Sequence, residues 1–194
     1  EELLYQTLQK KVHIRTPQRG DNVRLVDLAQ KNAREEAERV TTKAERAMGT
    51  LGLLQSMLGL EQPLHRLESY DISNIAGTDI VASMVVFVDG RPSKQDYKRF
   101  KIEGFTDQND YASMQQVLRR RLTHLKNGDA GFSAAPDALL IDGGIEHAKI
   151  AEQVVRDFAL RIPVYGMVKD DRHRTRALVS AQGQEIGIQS NQSL

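Results

Sequence analysis

The hydrophobic pattern of this chain changes period near Pro63. Ahead of it, residues 1–10 read as the end of a helix. Lys11 to Thr16 alternate, with Val12 and Ile14 set against His13 and Arg15, which predicts a short edge strand. Pro17 to Asp21 reads as a turn. Asn22 to Leu60 is a long helical zone, with a break or bend predicted at Gly49-Thr50-Leu51-Gly52. Its first part carries Lys31, Arg34, Glu35, Glu36, Glu38 and Arg39, a solvated surface.

After Pro63 the runs shorten and become strand-like. Leu64 to Ser73 and Ile80 to Val88 read as two strands, and Asp89-Gly90 is a hairpin turn signal. Tyr97 to Ile102 alternates as a third strand. From Asp110 to Lys126, apolar residues at Tyr111, Met114, Val117, Leu118, Leu122 and Leu125 have helical spacing, stopped by Asn127-Gly128. Ala138 to Asp142 is a short buried strand, Ala148 to Leu160 a helix and Pro163 to Val168 a further strand. The chain thus divides into 1–60, a strand and helical segment, and 61–194, an α/β domain. An antiparallel meander followed by right-handed crossovers predicts a mixed sheet of strand order 3-2-1-4-5, with helices on both faces.

That order makes the first and fourth strands neighbours at a point where the topology reverses, a favoured place for ligands in α/β sheets. Each of the two strands carries an aspartate near its end: Asp71 in Glu68-Ser-Tyr-Asp71-Ile-Ser-Asn74, and Asp142 in Leu139-Leu-Ile-Asp142-Gly-Gly144. A carboxylate ending a buried strand is costly unless paired or bound to a metal. Two of them side by side repel, and a divalent cation removes the repulsion and makes a site for phosphate chemistry. Hard oxygen ligands suit Mg²⁺ or Mn²⁺. Meander, switch point and acidic pair together describe a ribonuclease H-like fold. Read blandly, Asp71 caps a loop amide and Asp142 begins a Gly-Gly turn. Asp110 opens a helix, where it serves as N-cap or as a further ligand.

Composition narrows the setting. With 40% hydrophobic residues and no long uncharged apolar stretch, the chain reads as globular, and no membrane partner is expected. It begins Glu1-Glu2-Leu3 without an initiator Met, as expected of a piece of a longer protein. The absence of Cys excludes thiolate metal sites and suits the cytoplasm. A net charge of +1 announces no polyanion partner, but the cations cluster in Arg119-Arg120-Arg121 and between Lys169 and Arg176. Lys169, Arg172, His173 and Arg174 are candidate phosphate contacts. Consecutive arginines diverge around a helix, so Arg119 is the candidate DNA contact of its cluster and its neighbours read as solvated. His65, His124 and His147 lack metal-ligand company and read as surface or structural.

These residues bear a resemblance to a known family. Glu68-Ser-Tyr-Asp71-Ile-Ser-Asn-Ile-Ala-Gly77-Thr, Val85-Val-Phe-Val-Asp-Gly90-Arg-Pro-Ser-Lys94, Asp110-Tyr-Ala-Ser-Met114, Leu140-Ile-Asp142-Gly-Gly144, Lys169-Asp-Asp-Arg-His173-Arg-Thr175 and Gln189-Ser-Asn191 resemble the C-terminal half of UvrC, the nuclease subunit of bacterial nucleotide excision repair. Pro17-Gln-Arg-Gly20 and Leu25 to Ala33 resemble the segment preceding that domain. The resemblance implies a Mg²⁺- or Mn²⁺-dependent endonuclease making the incision 5′ to a lesion in double-stranded DNA, loaded by a UvrB-type damage-recognition partner. It implies catalytic roles for Asp71, Asp110 and Asp142. It also implies a catalytic histidine in a Glu-x-x-His-Arg-Phe-type element that follows the match to Gln189-Ser-Asn191, whereas this chain ends at Leu194. A departure stands at Ile145-Glu146-His147, where the family has a Lys-Gly-Gln run. Two other readings remain open: a docking scaffold for DNA and partner with no activity of its own, and another ribonuclease H-like nuclease, a resolvase or an RNA–DNA hybrid nuclease.

Overall fold

The computed structural model describes residues 17–75, 79–103 and 109–188. The expected helix end at 1–10, the edge strand at 11–16 and the Gln189-Ser-Asn191 match lie outside them. The chain divides into two compact units, Glu1–Lys43 and Ala44–Leu194. Within the first, the described part is helical, charged and solvated, with Leu25, Leu28 and Val40 exposed. Among the described residues no helix is long and apolar enough to cross a membrane.

Helix α1 (Asp21–Leu58) runs through Gly49–Gly52 without the expected break. Two interior glycines cost a helix about 1 kcal/mol each relative to alanine. Leu51 and Leu54, both buried against the sheet, offset that cost by removing apolar surface from water.

In the second unit, β1 (Arg66–Ile75), β2 (Asp79–Val88), β3 (Arg91–Pro92) and β4 (Lys98–Lys101) are followed by α2 (Asp110–Asn127) and β5 (Ala138–Asp142). Helix α3 (Ile145–Asp157), β6 (Val164–Lys169), β7 (Thr175–Ser180) and β8 (Glu185–Gly187) complete it. The sheet order is β3-β2-β1-β5-β6-β7-β8, with β4 also paired to β2. The expected order is present with β4 as its third strand, and the two-residue β3, which was not anticipated, shares the free edge of β2 with it, the two separated by a 3-10 turn at Lys94–Asp96. The β7–β8 hairpin extends the sheet beyond β6 and was not anticipated. Asp89 and Gly90 both adopt positive φ, 49° and 72°, as a two-residue hairpin turn of the primed type requires.

Strand alternation gives the sheet two apolar faces. Tyr70, Met84, Val86, Leu139 and Ile141 face Met114, Val117, Leu118 and Leu122 of α2 and Ala151, Val154 and Val155 of α3. Leu67, Ala138, Tyr165 and Leu178 face the opposite way, toward Leu51 and Leu54 of α1. Helix α2 is capped by Asn109, whose side chain accepts the Ala112 amide at 3.0 Å, and not by Asp110, which lies in the first turn. Gly128 ends α2 in the left-handed conformation. Helix α3 begins three residues before the expected Ala148, directly after the Gly143-Gly144 turn.

Candidate active site

Parallel pairing of β1 with β5 sets Tyr70 opposite Ile141, so Asp71 and Asp142 are the next residues along the two neighbouring strands. By alternation both side chains leave the sheet on the face of Leu67, Ser69 and Leu140. Asp142 is close enough to act directly on the Asp71 carboxyl. Asp71 retains much of its exposure, yet its carboxyl is pushed above the ordinary range, by partial burial first and then by the neighbouring Asp142. Lys169 draws it down only in part.

Lys169 also comes to this pair. Met167 of β6 pairs with Asp142, and Lys169, two residues on, leaves the sheet on the same face. Its Nζ donates to Asp142 Oδ2 at 2.6 Å. Directly beyond it the chain turns through a tight loop held by Asp170, whose Oδ1 accepts the amides of Arg172 and Arg174 at 2.9 Å each. Those amides and the Arg174 guanidinium hold the Asp170 carboxyl below its usual range. Arg172 and His173 are exposed, and His173 adopts a φ of 58°. Arg174 is paired with Asp170 at 3.1 Å.

Two of the other candidates lie on α2. Asp110 stands exposed in the first turn of α2. Arg119 is paired with Asp157 of α3. Among the described residues, no three His, Cys, Asp or Glu side chains gather closely enough to hold a metal, so the oxygen donors here are the two aspartates. Their chemistry fits a hard divalent cation: two adjacent carboxylates, one of them, Asp71, exposed and with its pKa raised by partial burial and then by its neighbour.

Two supporting features escaped sequence reasoning. The first is Gly166 of β6. A Cβ there would stand 2.6 Å from the Gly143 carbonyl oxygen and 2.7 Å from that of Gly144. The turn that carries the chain away from Asp142 therefore lies directly on β6, and only a glycine leaves it room. A glycine inside an apolar strand was the available signal. Gly143 is constrained too: its φ is 142°, and an added Cβ would meet the His147 ring at 2.4 Å.

The second feature is a buried ionic cluster three residues upstream of Asp71. Glu68 and Arg121 are both fully buried. Arg121 donates to both Glu68 oxygens at 2.7 and 3.0 Å and to the carbonyls of Phe132 and Ala134 at 2.8 and 2.7 Å. Tyr70 Oη donates to Glu68 at 2.7 Å, and Arg66 Nε does so at 3.1 Å. Burial, then the Glu68 charge, pushes the Tyr70 hydroxyl well up. This corrects the view of the arginine triplet as solvated, since Arg121 is its core-facing member. A cavity of about 490 Å³, lined by residues including Leu64, Asp137 and Pro163, sits at the opposite ends of these strands, away from the carboxylates.

A mixed sheet with an antiparallel meander, a parallel pair at the reversal point and two carboxylates on that pair define a nuclease domain of the ribonuclease H class. Comparison with known proteins gives the family. The UvrC RNAse H endonuclease domain model matches residues 55–194, and the UvrC Ribonuclease H-like domain model matches residues 1–40. The chain belongs to the UvrC family. It is 44% identical over 197 residues to UvrABC system protein C of Ruminiclostridium cellulolyticum, covering 95% of this chain and 32% of that one. The Acetivibrio thermocellus protein of the same name is 43% identical over 191 residues, covering 89% and 31%. The chain thus spans about a third of the length of these relatives. Among solved structures it is similar to Ciona intestinalis endonuclease V in complex with an inosine-containing 24mer DNA, with 15% identity, a TM-score of 0.41 and coverage of 71% of this chain and 59% of that one.

Proposed function

We propose that this chain is the metal-dependent nuclease domain that makes the 5′ incision in damaged double-stranded DNA as part of a UvrABC-type excinuclease in the cytoplasm. The observation that carries this reading is the adjacency of Asp71 and Asp142 on parallel neighbouring strands. Asp71 and Asp142 would hold Mg²⁺ or Mn²⁺, which when bound polarises the scissile phosphate and lowers the pKa of a bound water. The parallel pairing of β1 with β5 fixes the spacing of the two carboxylates before substrate arrives, so their ordering cost falls in folding and not in catalysis. The Gly143-Gly144 turn lies directly on Gly166, which fixes the path of the chain as it leaves Asp142.

Lys169, Arg172, His173 and Arg174 form the cationic surface beside the pair, suited to phosphates without reading bases. Arg119 contacts the DNA backbone from α2 only at the expense of its pair with Asp157. Asp110 acts from outside the pair, through the first turn of α2. The UvrB-type partner supplies lesion recognition, which no group in this cluster is shaped to provide. The test is Asp71→Ala in the protein that carries this chain, assayed with its partners on a lesion-bearing duplex. The expected result is loss of 5′ incision, and persistence of that incision would overturn the assignment.

A further inference from the structure

We propose that Lys169 is a built-in counter-cation for the carboxylate pair, displaced from Asp142 by the arriving divalent metal and then used to grip a phosphate of the strand to be cut. This rests on the proposed function and adds a partner exchange to it.

Three observations carry the proposal. The ammonium contacts Asp142 Oδ2 at 2.6 Å, one of the two oxygens this carboxylate can offer a metal shared with Asp71. Cation and metal therefore compete for one carboxylate. Next, two other cations of this segment have partners that a metal at the pair would leave in place: Arg174 with Asp170 at 3.1 Å and Arg176 with Glu185 at 2.5 Å. Of these ion pairs, that of Lys169 is the one a metal would break. Finally, the Lys169 side chain is 41% exposed, on a flexible four-carbon stem, with the loop beyond it held in place by Asp170. Its head can leave Asp142 without disturbing the backbone.

Once displaced, the ammonium would stand beside a divalent cation that already neutralises the two carboxylates, leaving one positive charge in excess. A phosphate oxygen balances that charge. Metal entry without substrate is therefore opposed by Lys169, and metal entry together with a phosphate is favoured.

The test uses the 194-residue chain and reads Mn²⁺ affinity from the paramagnetic signal of the free ion. Lys169→Met, which keeps the apolar stem, is expected to bind Mn²⁺ on the order of tenfold more tightly than wild type. Lys169→Arg, which keeps the cation, is expected to bind it no more tightly than wild type. In the protein that carries this chain, Lys169→Met is expected to cleave DNA about 100-fold more slowly, the scale of losing one donor to developing charge. Mn²⁺ affinity that is unchanged or weakened in Lys169→Met overturns the exchange, and if Asp71→Asn still abolishes Mn²⁺ binding the proposed function stands. Binding indifferent to Asp71→Asn overturns the metal site itself, and this inference with it. Tighter binding with undiminished cleavage overturns the phosphate grip. An unchanged melting temperature for Lys169→Met, expected for a partly exposed pair, confirms that the variants are compared in the same fold.

Discussion

Replacing Arg121 by Met tests whether the buried ionic cluster holds β1 in place. The guanidinium is fully buried and makes four hydrogen bonds, two to Glu68 and one each to the carbonyls of Phe132 and Ala134. Methionine fills the aliphatic part of that space and supplies none of the donors. Glu68 would retain Arg66 and the Tyr70 hydroxyl, so its charge would be undercompensated but not isolated. Breaking a buried pair by removing one partner costs about 3–5 kcal/mol. At about 2–4 °C per kcal/mol for a chain of this size, the melting temperature should fall by about 6–20 °C. The assay is thermal melting by circular dichroism at neutral pH, with Glu68→Met/Arg121→Met alongside. Removing both charges leaves no uncompensated carboxylate, so the double variant should lose less than the single one. A drop below about 3 °C for Arg121→Met, or a double variant worse than the single, would refute the account.

Two further predictions concern the carboxylate pair. Asp71 has a folded-state pKa above its ordinary 3.8, so its protonated form is the one that folding favours. Its stabilising contribution is present below the ordinary carboxylate range and is lost as pH rises through the folded-state value. In chelator-treated protein, Asp71→Asn should therefore be more stable than wild type at neutral pH and should lose that advantage on acidification; denaturant melts across pH 3 to 8 check this, and a less stable variant at pH 7 refutes it. Gly166→Ala drives a methyl group into the Gly143 and Gly144 carbonyl oxygens, costing about 1–3 kcal/mol by overpacking and displacing the turn after Asp142. Denaturant melts and a Mn²⁺ titration should both register it; wild-type values in both would show that the turn is not confined by β6.

The sheet and its acidic pair were legible because apolar runs and turn residues carry most of that information. Right-handed crossovers leave few ways to place β5 and β6 beside β1, and from that order Asp71 and Asp142 become neighbours. Elsewhere the decisive term was tertiary. Gly49 and Gly52 weaken a helix locally, yet burial of Leu51 and Leu54 keeps α1 continuous. Arg119, Arg120 and Arg121 are indistinguishable as letters, and helical geometry alone turns the third toward Glu68. Lys169 read as one cation in a basic loop, because its distinction is the strand face it shares with Asp142. The β7–β8 hairpin lay hidden behind that charge run, because Thr175 and Arg176 open β7 and leave only Ala177 to Val179 as its apolar run.

The pairing of β6 with β7 slips by one residue at Val168 and Lys169: Val168 lies opposite Ala177, and Lys169 lies opposite Thr175. The surplus residue, Arg176, belongs to β7, where the Ile188 amide takes its carbonyl. Strand β6 therefore keeps an unbroken alternation from Met167 to Lys169 while its partner absorbs the irregularity. The two arms of this hairpin differ in their tolerance to changes of length. On the β7 arm a residue gained or lost alters a bulge that already exists. On the β6 arm, a single insertion or deletion between Gly166 and Lys169 turns the ammonium to the far face of the sheet, away from Asp142. Over those four positions the count of residues carries as much of the chemistry as their identity.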